Sequence, residues 1–154
     1  MKNDHQIIYL IWKELTNHHL PPHTYHIEYN SYCDTIIIKI NICQFPSGNL
    51  EAAEADRLRH PQLHIKLTNG DLNFRQQWTN QETTFILADP QLFQNITNHL
   101  KNWVKEIYTG IYHHTNQTIT YYKQTKYKTD QNQNIIECRK ARAYAIATLK
   151  KLNK

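Results

Sequence analysis

The sequence predicts a single α+β domain over residues 1–154, in which an antiparallel sheet of about five or six strands packs against helices. In several short segments apolar residues alternate with polar ones, as in half-buried strands. In others they recur every three or four residues, as in amphipathic helices. The turn dipeptide Asn69-Gly70 separates two alternating segments, so consecutive strands are expected to form hairpins.

A helix and a hairpin are predicted first. Asn3 or Asp4 can cap the helix, and a later pair of prolines ends it. The apolar residues of this helix share one face: Ile7, Ile8, Ile11, Trp12 and Leu15. Segments 25–29 and 36–42 then alternate apolar and polar residues, which predicts two paired strands.

The middle of the chain predicts a short helix, a second hairpin and one more strand. Alanines favour a helix over about 50–58. Alternation from Leu63 to Trp78 around Asn69-Gly70 is the strongest short-range hairpin signal in the sequence. A strand over 83–88 follows.

A long central helix is predicted over about 90–109. Asp89 supplies its N-cap, Pro90 suits the first helical position, and Gly110 is a plausible C-terminal cap. Its apolar stripe consists of Leu92, Phe93, Ile96, Leu100, Trp103, Val104 and Ile107. The Thr- and Tyr-rich residues 117–128 favour a further strand with an exposed edge.

Charge is distributed unequally along the chain. Residues 101–154 contain eleven Lys and Arg against three acidic residues, a net charge of +8, whereas residues 1–100 contain seven against ten, a net charge of −3. Clustered positive charge attracts polyanions and acidic protein surfaces. The last third is therefore the candidate contact surface.

A basic amphipathic helix is predicted from about Glu137 to Leu152. Its apolar face holds Ala141, Ala145, Thr148, Leu149 and Leu152. Its opposite half holds the small Ala143 and Ala147 between cations: Arg139, Lys140, Arg142, Lys150, Lys151 and Lys154. Such cations neutralise phosphates without reading base sequence, although the same pattern fits an acidic groove of a protein.

The predicted strand combines aromatic rings with cations. These candidate contact residues are Tyr122, Lys123, Lys126, Tyr127 and Lys128. Bases of single-stranded nucleic acid stack on aromatic rings set among lysines. Solvated basic faces and packed tyrosines are also common without that function, and an exposed edge strand would equally suit a homodimer seam.

Signatures of enzymes are lacking in the sequence. Its three glycines are too few for a nucleotide-binding loop, and the single His-x-Thr triplet, 113–115, is half of what a two-histidine phosphoesterase needs. No cofactor and no metal are expected. The histidines near the paired prolines leave a ribonuclease or toxin as an alternative, because imidazoles can cleave RNA by acid–base catalysis: His18, His19, His23 and His26.

Cysteine usage and the N-terminus predict a cytoplasmic protein that does not enter a membrane. Cys33, Cys43 and Cys138 are odd in number and form no CxxC pair, so reduced, partly buried thiols are expected. The longest apolar run near the N-terminus, Ile7 to Trp12, is too short for a signal core or a membrane span.

These features predict a small non-enzymatic binding protein whose basic C-terminal surface engages nucleic acid or a nucleic-acid-handling protein. The alternative is a protein–protein inhibitor, such as an immunity protein or an anti-CRISPR-like protein of a mobile element. Such an inhibitor would occlude its target by shape and charge.

Overall fold

The computed structural model describes residues 3–17, 25–124 and 132–153. The elements, in chain order, are α1 (Asp4–Asn17), β1 (Tyr25–Asn30), β2 (Thr35–Ile40), α2 (Ala52–Arg59), β3 (Gln62–Thr68), β4 (Asp71–Gln76), β5 (Glu82–Phe85), α3 (Leu92–Gln124) and α4 (Asn132–Leu152). Within these residues the strands form one antiparallel sheet in the order β1-β2-β3-β4-β5. The predicted α+β fold, with its N-terminal and long central helices, is confirmed.

One face of the sheet is buried under helices, and the other carries polar side chains. Ile36, Ile65 and Phe74 lie side by side on the buried face and belong to a core that also includes residues of α1 and α3. On the open face, His64 lies opposite Arg75, which is exposed. Because side chains alternate between faces, the hydrophobic pattern fixes this register.

Side-chain caps begin both α1 and α3. The Gln6 backbone N–H donates to Asn3 Oδ1 at 2.9 Å, and the Asn3 N–H donates to Gln6 Oε1 at 3.1 Å, which makes a reciprocal capping box. Ahead of α3, the Gln91 N–H donates to Asp89 Oδ1 at 2.9 Å. Asn3 and Asp89 therefore cap the helices as their sequence positions predict.

The prediction of a strand over 117–128 is wrong for residues 117–124, which continue α3; residues 125–128 lie outside the described residues. Thr and Tyr favour strands, but here helical packing overrides that preference. Ile111, Thr115 and Ile119 are buried at four-residue spacing. The Thr115 hydroxyl donates to the Ile111 carbonyl at 2.7 Å, so it is satisfied within the helix.

Gly110 does not end α3, contrary to the prediction, but lies within it. A Cβ placed at this position would lie 2.8 Å from Leu58 Cδ2 of α2. Leu58 is fully buried, so the missing side chain lets α2 approach α3 closely. Gly110 therefore allows close packing of two helices and does not terminate α3.

The last helix, α4, runs antiparallel to α3. Three contacts show this direction. Asn134 Nδ2 donates to the Tyr122 hydroxyl at 3.5 Å, and Arg142 Nη1 donates to Asn116 Oδ1 at 2.9 Å. The centroids of the Tyr144 and Tyr108 rings lie 5.9 Å apart. The predicted inner face is confirmed: Ala141, Ala145, Thr148 and Leu152 are buried, and Leu149 is partly buried.

The three cysteines differ in environment. Cys33 and Cys43 are exposed rather than partly buried, and Cys138 is buried on the inner face of α4. Burial raises the pKa of the Cys138 thiol to about 11. This thiol therefore stays protonated and poorly nucleophilic near neutral pH.

Candidate nucleic-acid interface

Four cations project from the outer side of α4 and are exposed. We call them the basic face: Arg139, Lys140, Lys150 and Lys151. Because eleven residues make just over three turns, Arg139 lies within about 20° of Lys150 around the helix axis and about 16 Å from it along the axis. Lys140 and Lys151 are related in the same way. The basic face is thus two parallel rows of positive charge.

The charges of the basic face are unpaired within the described part of the chain. The ion pairs found there lie elsewhere and join His5 to Asp34, His26 and Lys39 to Glu28, and Arg57 to Glu54. Glu137 is the one acidic residue in the sequence of α4. The basic face therefore keeps its positive potential available to a partner.

Arg142, which the sequence groups with these cations, has a different position. Its side chain is partly buried and donates to Asn116 Oδ1 of α3 at 2.9 Å. That hydrogen bond ties the two helices together. Arg142 thus connects α3 and α4. Replacing it would remove both a positive charge and this contact between the helices, so a change in binding could not be assigned to charge alone.

Tyr122 and Lys123 lie on the last turn of α3 instead of on a strand. Tyr122 is partly buried and accepts a hydrogen bond from Asn134, whereas Lys123 is exposed. The more accessible ring is that of Tyr121, which is 57% exposed. Lys126, Tyr127 and Lys128 lie outside the described residues. Because Tyr122 is helical, its side chain does not follow the alternation of the predicted strand.

Sequence reasoning missed an apolar component of this surface. Ile136, Tyr144 and Ile146 are 43%, 37% and 36% exposed on α4. A helical wheel could have predicted their exposure, because it places Ile136 and Ile146 on the same half of the helix as Arg139. The outer side of α4 is therefore mixed, with apolar side chains among the cations.

The structure describes only His26 of the four histidines near the paired prolines, so it shows no catalytic histidine cluster among the described residues. His26 is exposed and lies 3.4 Å from Glu28, while His18, His19 and His23 are outside the described residues. His114, in the triplet 113–115, is buried, and its Nε2–H donates to the Pro46 carbonyl at 2.8 Å. This bond holds the loop before α2 against α3, which is a structural role.

Comparison of the chain with protein-family models, with curated proteins and with solved structures gives no match. In the described segments, no group of three or more His, Cys, Asp or Glu side chains could hold a metal ion. None of the helices described has both the length and the apolar character that crossing a membrane requires.

Proposed function

We propose that this chain is a small binding protein whose basic face holds the phosphate backbone of a nucleic acid. The observation that carries the proposal is the set of four exposed cations on the outer side of α4, which form no ion pair with the residues that the structure describes. The small Ala143 and Ala147 lie between these cations and are exposed, so a phosphate backbone can approach the helix closely.

Neutralising phosphates releases condensed counterions, and this release supplies most of the affinity of sequence-independent binding. Four such cations are enough for moderate affinity that depends on salt concentration. Tyr121, in the last turn of α3, is 57% exposed and offers a ring on which an unpaired base could stack, and exposed Lys123 on the opposite side of the same turn is a further cation.

The proposal predicts where a nucleic acid touches the protein. On titration of the ¹⁵N-labelled protein with a short DNA or RNA oligonucleotide, we expect the largest amide shift changes between Ile136 and Lys151. The open face of the sheet is the internal comparison, because it also carries the cations Lys39, Lys66 and Arg75. Shift changes centred on those strands, with α4 unaffected, would contradict the proposal.

A protein inhibitor remains the second candidate, and the exposed Ile136, Tyr144 and Ile146 favour it. Phosphates gain little from apolar side chains, whereas protein interfaces bury them at their centres. In the double variant I136S/I146S, binding to a protein target should fall strongly while binding to a nucleic acid should change little. The opposite pattern would exclude a protein target at this surface.

A further inference from the structure

A polar cleft lies between α2, the β4–β5 loop and α3, away from the basic face. Its volume is about 870 Å³, and it adjoins a deeper recess of about 190 Å³. Gln76, Gln81 and Asn102 line both parts, and we call this the amide cleft. Cavities of this size commonly hold small ligands.

Gln76 lies at the junction of the cleft and the recess and is only 8% exposed. Its Nε2 donates to Gln81 Oε1 at 3.0 Å. Among the described residues no group donates to Gln76 Oε1. Because Gln76 Oε1 is open to the cleft rather than sealed in the protein, water or a ligand hydroxyl can donate to it.

The walls of the cleft are close to electrically neutral. Arg57 is paired with Glu54 through bonds of 2.6 and 2.9 Å, and Lys105 and Glu106 contribute opposite charges. Burial lowers the pKa of His99 in the recess, so its imidazole is neutral near pH 7. A neutral lining favours a neutral ligand over a nucleotide phosphate.

The largest aromatic side chains that line this site are not open to a ligand. Phe74 and Trp103 line the recess but are almost fully buried, and the Phe74 ring meets that of His99 at 5.5 Å in an edge-on arrangement. Phe74 and Trp103 therefore present no open aromatic face to a nucleobase. Hydroxyl groups, which both donate and accept, suit the amides of Gln76, Gln81 and Asn102 and the carboxylate of Glu106.

The loop that forms one wall of the cleft is held in a strained conformation. Trp78 has φ = 73°, in the left-handed region that bulky residues rarely adopt. Its indole Nε1–H donates to the His60 carbonyl at 3.4 Å. The Thr79 hydroxyl donates to the Gln76 carbonyl and accepts from the Gln81 N–H, which fixes Gln81 beside Gln76. Strain of this kind is concentrated at ligand sites in proteins.

From these contacts we propose that the amide cleft binds a neutral polyhydroxylated ligand of mono- to disaccharide size, held by Gln76, Gln81, Asn102 and Glu106. This site is separate from the basic face and does not depend on nucleic-acid binding. It requires no covalent step and no metal ion.

Saturation-transfer NMR on the whole protein tests the proposal with glucose, galactose, mannose, ribose, maltose and lactose at millimolar concentration, alongside adenosine and glycylglutamine. We expect at least one sugar to receive saturation. In the variants Asn102→Ala and Glu106→Gln, Kd for that sugar should rise about tenfold, because the first change removes an amide that bonds the ligand and the second replaces a charge-assisted hydrogen bond with a weaker neutral one. Both residues are exposed, so folding should be retained.

Asn98→Ala is the matched control, because Asn98 is an exposed asparagine one turn earlier on α3 and does not line the cleft. Its Kd should equal that of the parent protein. Saturation of no sugar, binding of adenosine or glycylglutamine alone, or sugar binding unchanged in both cleft variants would each overturn the proposal.

Discussion

Replacing Arg139, Lys140 and Lys151 together by glutamine is expected to weaken nucleic-acid binding about 10²-fold at about 0.1 M salt. Each of these side chains is exposed on α4 and unpaired within the described residues, so the helix should fold as before. Each phosphate contact contributes about 0.9 to the slope of log K against log salt concentration on duplex DNA. The slope should therefore fall by about 2.7 in the triple variant, as fluorescence anisotropy with a labelled duplex would show.

The matched control is the triple variant K13Q/K66Q/R75Q, which removes the same charge from exposed positions outside α3 and α4. If net charge alone governed binding, both triple variants would lose affinity equally. Equal losses would contradict the assignment of binding to the basic face. A much larger loss in the α4 variant is the expected result.

Gln117→Pro is expected to destabilise the protein by about 3 kcal/mol or more. Gln117 is exposed in the extended part of α3, so little packing is lost directly. Proline removes one helical hydrogen bond and its ring clashes with the carbonyl of the preceding turn. Thermal unfolding followed by circular dichroism should show a fall in Tm of roughly 6–12 °C.

Gln117→Ala serves as the control, because alanine keeps the N–H and favours helix. Its stability should stay within about 0.5 kcal/mol of the parent protein. If the proline variant were as stable as the alanine variant, residues 111–124 would not form the continuous helix on which α4 packs.

The sequence predicts the elements of this fold wherever local chemistry and tertiary packing agree. Asn3 and Asp89 have both the capping side chain and the position, and both cap helices. Alternation around Asn69-Gly70 predicts the β3–β4 hairpin for the same reason. In α3, however, Thr115 and Ile119 have strand propensity but occupy a helix. They are buried at four-residue spacing, and their helix packs against α4, a partner that lies later in the chain.

The candidate interface was predictable only in part. Helical spacing predicts that Lys140 and Lys150 lie opposite the apolar face of α4, and both are exposed. The link between Arg142 and Asn116 depends on the antiparallel pairing of two helices, which spacing within one helix does not specify. The amide cleft brings together Gln76, Asn102 and Arg57 from three different elements, so no local sequence pattern predicts it.

The dependence of binding on salt tests the central proposal most directly. In a titration of the purified protein against labelled single- and double-stranded DNA and RNA, affinity for duplex DNA should fall about 10²-fold between about 50 and 200 mM salt, if four cations contact phosphates. Affinity that does not change with salt, or no binding to any of these nucleic acids at the lower concentration, would contradict the assignment and leave a protein as the partner of the basic face.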